Sequence, residues 1–362
     1  MADVVEAGPS RSGRGWAVVA VLALAALVVA ALRGGGGTPE ASPSPRVTTV
    51  APTEAGPAPV PSPEPVPRVS ATPGAPFAVT VVTATEVRVG RRVEYRAPRD
   101  HRIDSFAKVA GGWAAVVVEE PVRSANPFAL VVHGARGDRT IAVDDGTRVF
   151  PGVTRGEVWT AGPEGRAQRR DARGDVLATE RLPAPWRAVG ETTGALVLVD
   201  EEGGRVGLWR RRAVEPLAEQ ATFGSATPTH VAWLQGSCAV GCSAVVLDSR
   251  SGNSWSKSLV AGPVYLDVEV HPDGETVAAI ASFSGGTVVY VAERESTVEE
   301  VATTPQGSVS FLTAEWVDAR RLAVFDVSDD VRAFAFDLVT WRLESAGTYE
   351  GRDVVAVLGD PL

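Results

Sequence analysis

Residues 262–302 alternate short apolar runs with polar breaks in a way that outlines one complete four-stranded sheet. Leu266, Val268 and Val270 alternate with Asp267 and Glu269, the period of a strand with one covered face. His271-Pro272-Asp273-Gly274 then interrupts the pattern, because proline fixes φ and glycine tolerates the positive φ of a tight turn. Thr276 to Ala281 is almost continuously apolar, which predicts a central strand covered on both faces. Gly285-Gly286 turns the chain, Thr287 to Ala292 returns, and Thr297 to Val301 has the mixed polarity of an edge strand. Such a sheet cannot bury its own faces and needs similar sheets stacked against it.

The pattern recurs. Units of the same kind begin near residues 101, 146, 184, 221, 262 and 307. Each has a recognisable central strand: Trp113 to Val118, Glu157 to Thr160, Ala195 to Val199, His230 to Leu234, Thr276 to Ala281, and Arg321 to Phe325. A repeat of about 40 residues with four strands per unit predicts an all-β propeller. Strand-like segments also lie before the first unit (Ala78 to Tyr95) and after the last (Asp353 to Leu358), so the two ends of the chain can complete one more blade together. Six or seven blades fit. The competing arrangement is a pair of β-sandwiches, which also uses many short strands.

The N-terminal quarter has a different character. Residues 1–15 are short and polar and predict a cytoplasmic tail. Residues 16–32, WAVVAVLALAALVVAAL, form an uncharged run that as a helix spans roughly 25 Å, the lower end for a membrane crossing. A cleaved signal peptide is the alternative, although its apolar core is usually shorter. Arg11 and Arg14 precede the run, which predicts a cytoplasmic N-terminus and an extracellular C-terminal domain on the cell membrane. Residues 33–76 hold four consecutive glycines and 12 of the 26 prolines, the composition of a disordered linker extended by polyproline II. The propeller is then expected over 77–362.

Composition narrows the partners. The net charge of −9 argues against nucleic-acid binding, which needs a basic face. Arg166 to Arg173 and Arg210 to Arg212 are local exceptions, read as solvated strands and loops.

The segment HPDGETVAAI resembles the strand-turn-strand core of TolB-like and WD40-like β-propellers, and GGWAAVVVEE and AEWVDARRLAVFDV have the same form. The resemblance covers roughly residues 101–347, and it departs from WD40 proteins in having no Trp-Asp dipeptide and no Gly-His pair. The order of tail, span, Pro-rich stalk and propeller is similar to that of membrane-anchored propeller proteins of actinobacteria. This likeness implies a location and a shape.

Candidate chemistry is sparse. Cys238 and Cys242 are the only cysteines and lie in a turn between two expected strands, which predicts a disulfide across a hairpin. Asp248 to Trp255 partly matches the Asp-box turn of sialidase-like propellers, with Arg250 where that motif has its aspartate. His101, His133, His230 and His271 fall in separate units without metal-ligand spacing, so no metal or cofactor is expected. Arg-Gly-Asp at 136–138 and 173–175 reads as chance turns. The expectation is therefore a tethered, non-enzymatic binding or scaffolding domain for a protein or cell-wall glycan. The alternatives are a propeller hydrolase or lyase acting on extracellular glycans, and a transmembrane sensor. Carboxylates, histidines or tyrosines gathered at the central channel are the feature expected of an enzyme.

Overall fold

The computed structural model describes residues 77–134, 137–237, 241–283, 286–304 and 310–361. These lie within the unit Pro65–Leu362. The span predicted at 16–32 and the linker at 33–76 fall outside the described residues. Among those described, no helix is long and apolar enough to cross a membrane.

The described residues begin with β1 (Phe77–Thr83), β2 (Glu86–Val89) and β3 (Arg92–Arg96). Blade 1 is β4 (His101–Val109), β5 (Gly112–Glu119), β6 (Phe128–Gly134) and β7 (Gly137–Ala142). Blade 2 is β8 (Arg148–Pro151), β9 (Val158–Ala161), β10 (Arg166–Arg170) and β11 (Val176–Arg181). Blade 3 is β12 (Arg187–Thr192), β13 (Ala195–Asp200), β14 (Arg205–Arg210) and β15 (Ala213–Glu219). Blade 4 follows with β16 (Ala221–Ala226), β17 (His230–Gln235), β18 (Ser243–Asp248) and β19 (Ser254–Ser258). Blade 5 has β20 (Val264–Val270), β21 (Thr276–Phe283), β22 (Gly286–Glu293) and β23 (Val298–Thr303). Blade 6 has β24 (Phe311–Trp316), β25 (Arg321–Val327), β26 (Asp330–Asp337) and β27 (Arg342–Glu350). The final strand, β28 (Val354–Pro361), returns to pair antiparallel with β1 and completes blade 7 in the order β28-β1-β2-β3.

The first strands of the blades touch one another in a cycle, β4 to β8, β12, β16, β20, β24, β28 and back to β4. That closed circuit defines a seven-bladed propeller around a central channel. Two stacked sandwiches would not produce it.

Each junction between neighbouring blades has its own apolar cluster. Ala114, Val116 and Leu130 meet Val149 and Val158 between blades 1 and 2. Val81 and Phe77 meet Ala323 and Phe325 between blades 6 and 7. The strand β21 shows why a continuous apolar run is needed. Val277, Ala279 and Ala281 pack toward blade 4, while Ala278 and Ile280 pack toward blade 6. Two faces covered at period 2 leave no polar position in the middle of the strand. Full burial of such a Val or Ile contributes about 1.5–3 kcal/mol, so the junctions supply most of the cohesion.

One pattern differs from its reading in the sequence. Leu266 was expected on the covered face with Val268 and Val270. A β-bulge between Tyr265 and Asp267 moves Leu266 out of the alternation, so Tyr265 is buried and Leu266 is half exposed.

Candidate functional site

The first strand of each blade has one unpaired edge, and its N–H groups face the channel. Side chains from neighbouring first strands take several of them. Ser105 Oγ on β4 accepts from Val149 N at 3.1 Å, and Ser225 Oγ on β16 accepts from Val270 N at 2.7 Å. Just beyond the end of β8, Glu191 Oε2 on β12 likewise accepts from Val153 N at 2.7 Å. Glu315 Oε2 on β24 accepts from Gly359 N on β28 at 3.0 Å. Polar side chains on these strands therefore point along the channel wall from blade to blade.

Three carboxylates belong to this wall. Asp267 and Glu269 are two residues apart on β20, so they share a side of the strand, and Glu315 comes from the next first strand, β24. Glu269 receives a hydrogen bond from the Ser225 hydroxyl of blade 4 and feels the charge of Glu315 from blade 6. A side chain that meets both neighbours from a first strand lies in the channel.

Burial pushes the Glu269 carboxyl well above the ordinary carboxylate range, and the nearby charges of Asp267 and Glu315 add to it; the Ser225 hydroxyl opposes them. Asp267 is raised as well, first by burial and against a hydrogen bond from Val268 N at 2.7 Å. As residues, all three are partly exposed. The links from the outer strand of one blade to the first strand of the next are short, so every first strand enters from the same end. At that end Val264, Leu266, Phe311 and Val355 are exposed on three adjacent first strands and form an apolar rim.

A cavity of about 430 Å³ lies elsewhere, between blades 4 and 5, lined by His230, Asp248, Arg250, Trp255, Glu275 and Arg294 among others. Its acids are committed to local structure. Asp248 Oδ1 accepts from Arg250 N at 2.8 Å within the β18–β19 hairpin, and Arg294 pairs with Glu275 at 3.3 Å. Trp255 Nε1 donates to Gly274 O at 2.7 Å. The partial Asp-box motif is thus a hairpin in which Asp248 caps the turn.

The histidines are dispersed as expected, with His133 on β6 and His230 on β17. His271 is buried behind the Pro-Asp-Gly turn, its ring edge against Trp316 at 4.7 Å between centroids. Cys242 is buried in the junction of blades 4 and 5, and Cys238 lies outside the described residues. In the sequence Asp267 and Glu269 are polar positions of a strand, and no spacing links them to Glu315. Their only sequence signal is an acidic residue recurring on the first strands of consecutive blades.

No family model matches the chain, and no curated protein sequence does. Solved structures do. The periplasmic gluconolactonase of Pseudomonas aeruginosa is 13% identical, with a TM-score of 0.52 over 78% of this chain and 98% of its own. A protein from Lactobacillus plantarum is 12% identical, with a TM-score of 0.50 over 78% of this chain and 99% of its own. At this identity the likeness speaks for the propeller fold, and the resemblance to TolB-like and WD40-like proteins goes no further than that fold. The expectation of a non-enzymatic domain is corrected. A structure of this fold carries the name of an enzyme, and the channel holds the carboxylate cluster expected of one.

Proposed function

We propose that the protein is a hydrolase that acts on a small neutral carbohydrate, a sugar lactone or the end of a neutral glycan, in its central channel. The observation that carries this reading is Glu269, an acid on a first strand whose pKa is pushed well upward by burial and by two neighbouring carboxylates, in a residue that is partly exposed. A neutral carboxyl can donate its proton to a leaving oxygen, and a second carboxylate can draw a proton from the attacking water. Glu269 takes the first role. Glu315, held by the Gly359 amide, takes the second, and the charge of Asp267 helps to raise the pKa of Glu269. Water adds to the electrophilic carbon, the bond to the leaving oxygen breaks, and the protons pass from water to Glu315 and from Glu269 to the leaving oxygen. Asp267 and Glu315 repel anions, which is why the substrate is neutral.

The same reading sets the propeller outside the cell membrane, with residues 16–32 as a single-pass anchor and 33–76 as a stalk. A pair of cysteines four positions apart suits an oxidising compartment.

The test follows proton release from δ-gluconolactone and reducing ends released from neutral oligosaccharides. Wild type is expected to turn over at least one of these, and Glu269→Gln to lose 10²-fold or more, the scale of a general acid. Equal rates for the two proteins would remove Glu269 from the chemistry. Protease protection on intact cells checks the location.

A further inference from the structure

The arginine tract at 166–173 was read as solvated, and one of its members is not. β10 turns Arg166, Gln168 and Arg170 to one face, toward blade 1, while Ala167 packs into the junction with blade 3. Arg170 is 7% exposed. Its Nη1 donates to Gly174 O at 2.9 Å and its Nη2 to Gln168 Oε1 at 2.6 Å, and its Nε is buried without a partner among the described residues. No carboxylate among the described residues forms an ion pair with it. Burial, and then repulsion from Arg166 and Arg139, hold its pKa below the usual value. A buried guanidinium surrounded by other cations lacks the counter-charge that buried ions require.

A cavity of about 250 Å³ lies beside it, between blades 1 and 2. Arg166, Gln168, Arg170 and Thr160 line it from blade 2, and Asp144 and Thr147 from the loop after β7. The donors are on one side. Because Gln168 Oε1 is committed to Arg170, its amide nitrogen remains to donate. Thr147 Oγ1 already donates to Asp144 O at 2.7 Å. Asp144 is the one carboxylate among the lining residues, and it is exposed at the rim.

We propose that this cavity binds a tetrahedral oxyanion, phosphate or sulfate, free or as a monoester, with Arg170 as its buried counter-charge and Arg166 and Gln168 as further donors. The guanidinium fork suits two anion oxygens at once. The site is separate from the channel and does not depend on the reaction there.

The experiment is calorimetric titration of the full-length chain at low salt with inorganic phosphate, inorganic sulfate and a sugar phosphate, each alone. Wild type is expected to bind saturably and to gain Tm with the anion. Binding of the sugar phosphate alone identifies a monoester site; binding of the inorganic ions identifies a free-anion site. Arg170→Gln is expected to abolish binding and the Tm response. Where Arg170→Gln does not fold, Arg166→Gln decides, because Arg166 is exposed: at least tenfold weaker binding is expected. Glu269→Gln should bind the anion as wild type does. Absence of saturable binding of all three anions by wild type overturns the proposal, as does undiminished binding by Arg166→Gln.

Discussion

Gly274 on blade 5 lies against the imidazole ring of His230 on blade 4, so closely that a Cβ at Gly274 would overlap the ring. Its φ of 77° is one that other residues rarely adopt, and its N–H closes the turn on His271 O at 2.9 Å. Gly274→Ala therefore meets strain and collision together. A loss of about 2 kcal/mol or more is expected, a fall in Tm of roughly 4–8 °C at this size, readable by calorimetry. An unchanged Tm would show that the blades do not meet at this turn.

Glu269 makes an opposite prediction about stability. A carboxyl whose folded pKa is raised holds its proton after the unfolded chain has released it. Between the two pKa values the unfolded state binds fewer protons, so stability is full in acid and falls as pH rises through that window. Glu269→Gln removes the penalty. The variant should match wild type near pH 4 and have a higher Tm at pH 8, even as activity is lost. Parallel pH profiles for the two proteins would contradict the assignment.

Asp200 carries the reverse sign. Its carboxyl is held low, first by a hydrogen bond from Gly203 N at 3.0 Å and then by Arg205, whose Nε donates at 2.9 Å. This stability is present above the unfolded pKa and is lost as pH falls through the folded one. Asp200→Asn should be less stable than wild type at pH 7, with the difference closing in acid. Urea unfolding at several pH values measures it.

The expected Cys238–Cys242 bridge closes a very short loop. Chain entropy alone gives it about 2 kcal/mol. Thiol titration of the denatured, unreduced protein should find no free thiol, and replacing both cysteines by serine should cost about that much.

Much of the architecture was legible because its cause is local. The apolar run in β21 predicts a strand covered on both faces, and repeating that strand predicts stacked blades. The predicted central strands at 113–118, 195–199 and 276–281 lie within β5, β13 and β21. Blade count was ambiguous because blade 7 draws β28 and β1 from opposite ends of the chain. Leu266 was misplaced because a bulge reverses alternation without a fixed sequence mark. The carboxylates could not be recognised as a group: Asp267 and Glu315 are separated by more than a repeat and come together only through the stacking of blades 5 and 6. Arg170 was hidden for a different reason, since its burial depends on the loop of the preceding blade.

The pairing of β28 with β1 orders events in time. Until residues 354–361 arrive, β1 has no partner on its inner side; β1 to β3 can already cover blade 1, and the arc stays open between β1 and blade 6. Blades 1 to 6 can stack as they are made, since each junction joins neighbours in sequence. The last junction must wait for β28, and its contacts span nearly the whole propeller, the slowest kind to form. A nascent chain halted before residue 354 would present two sticky faces, and arrival of β28 is the step that removes both.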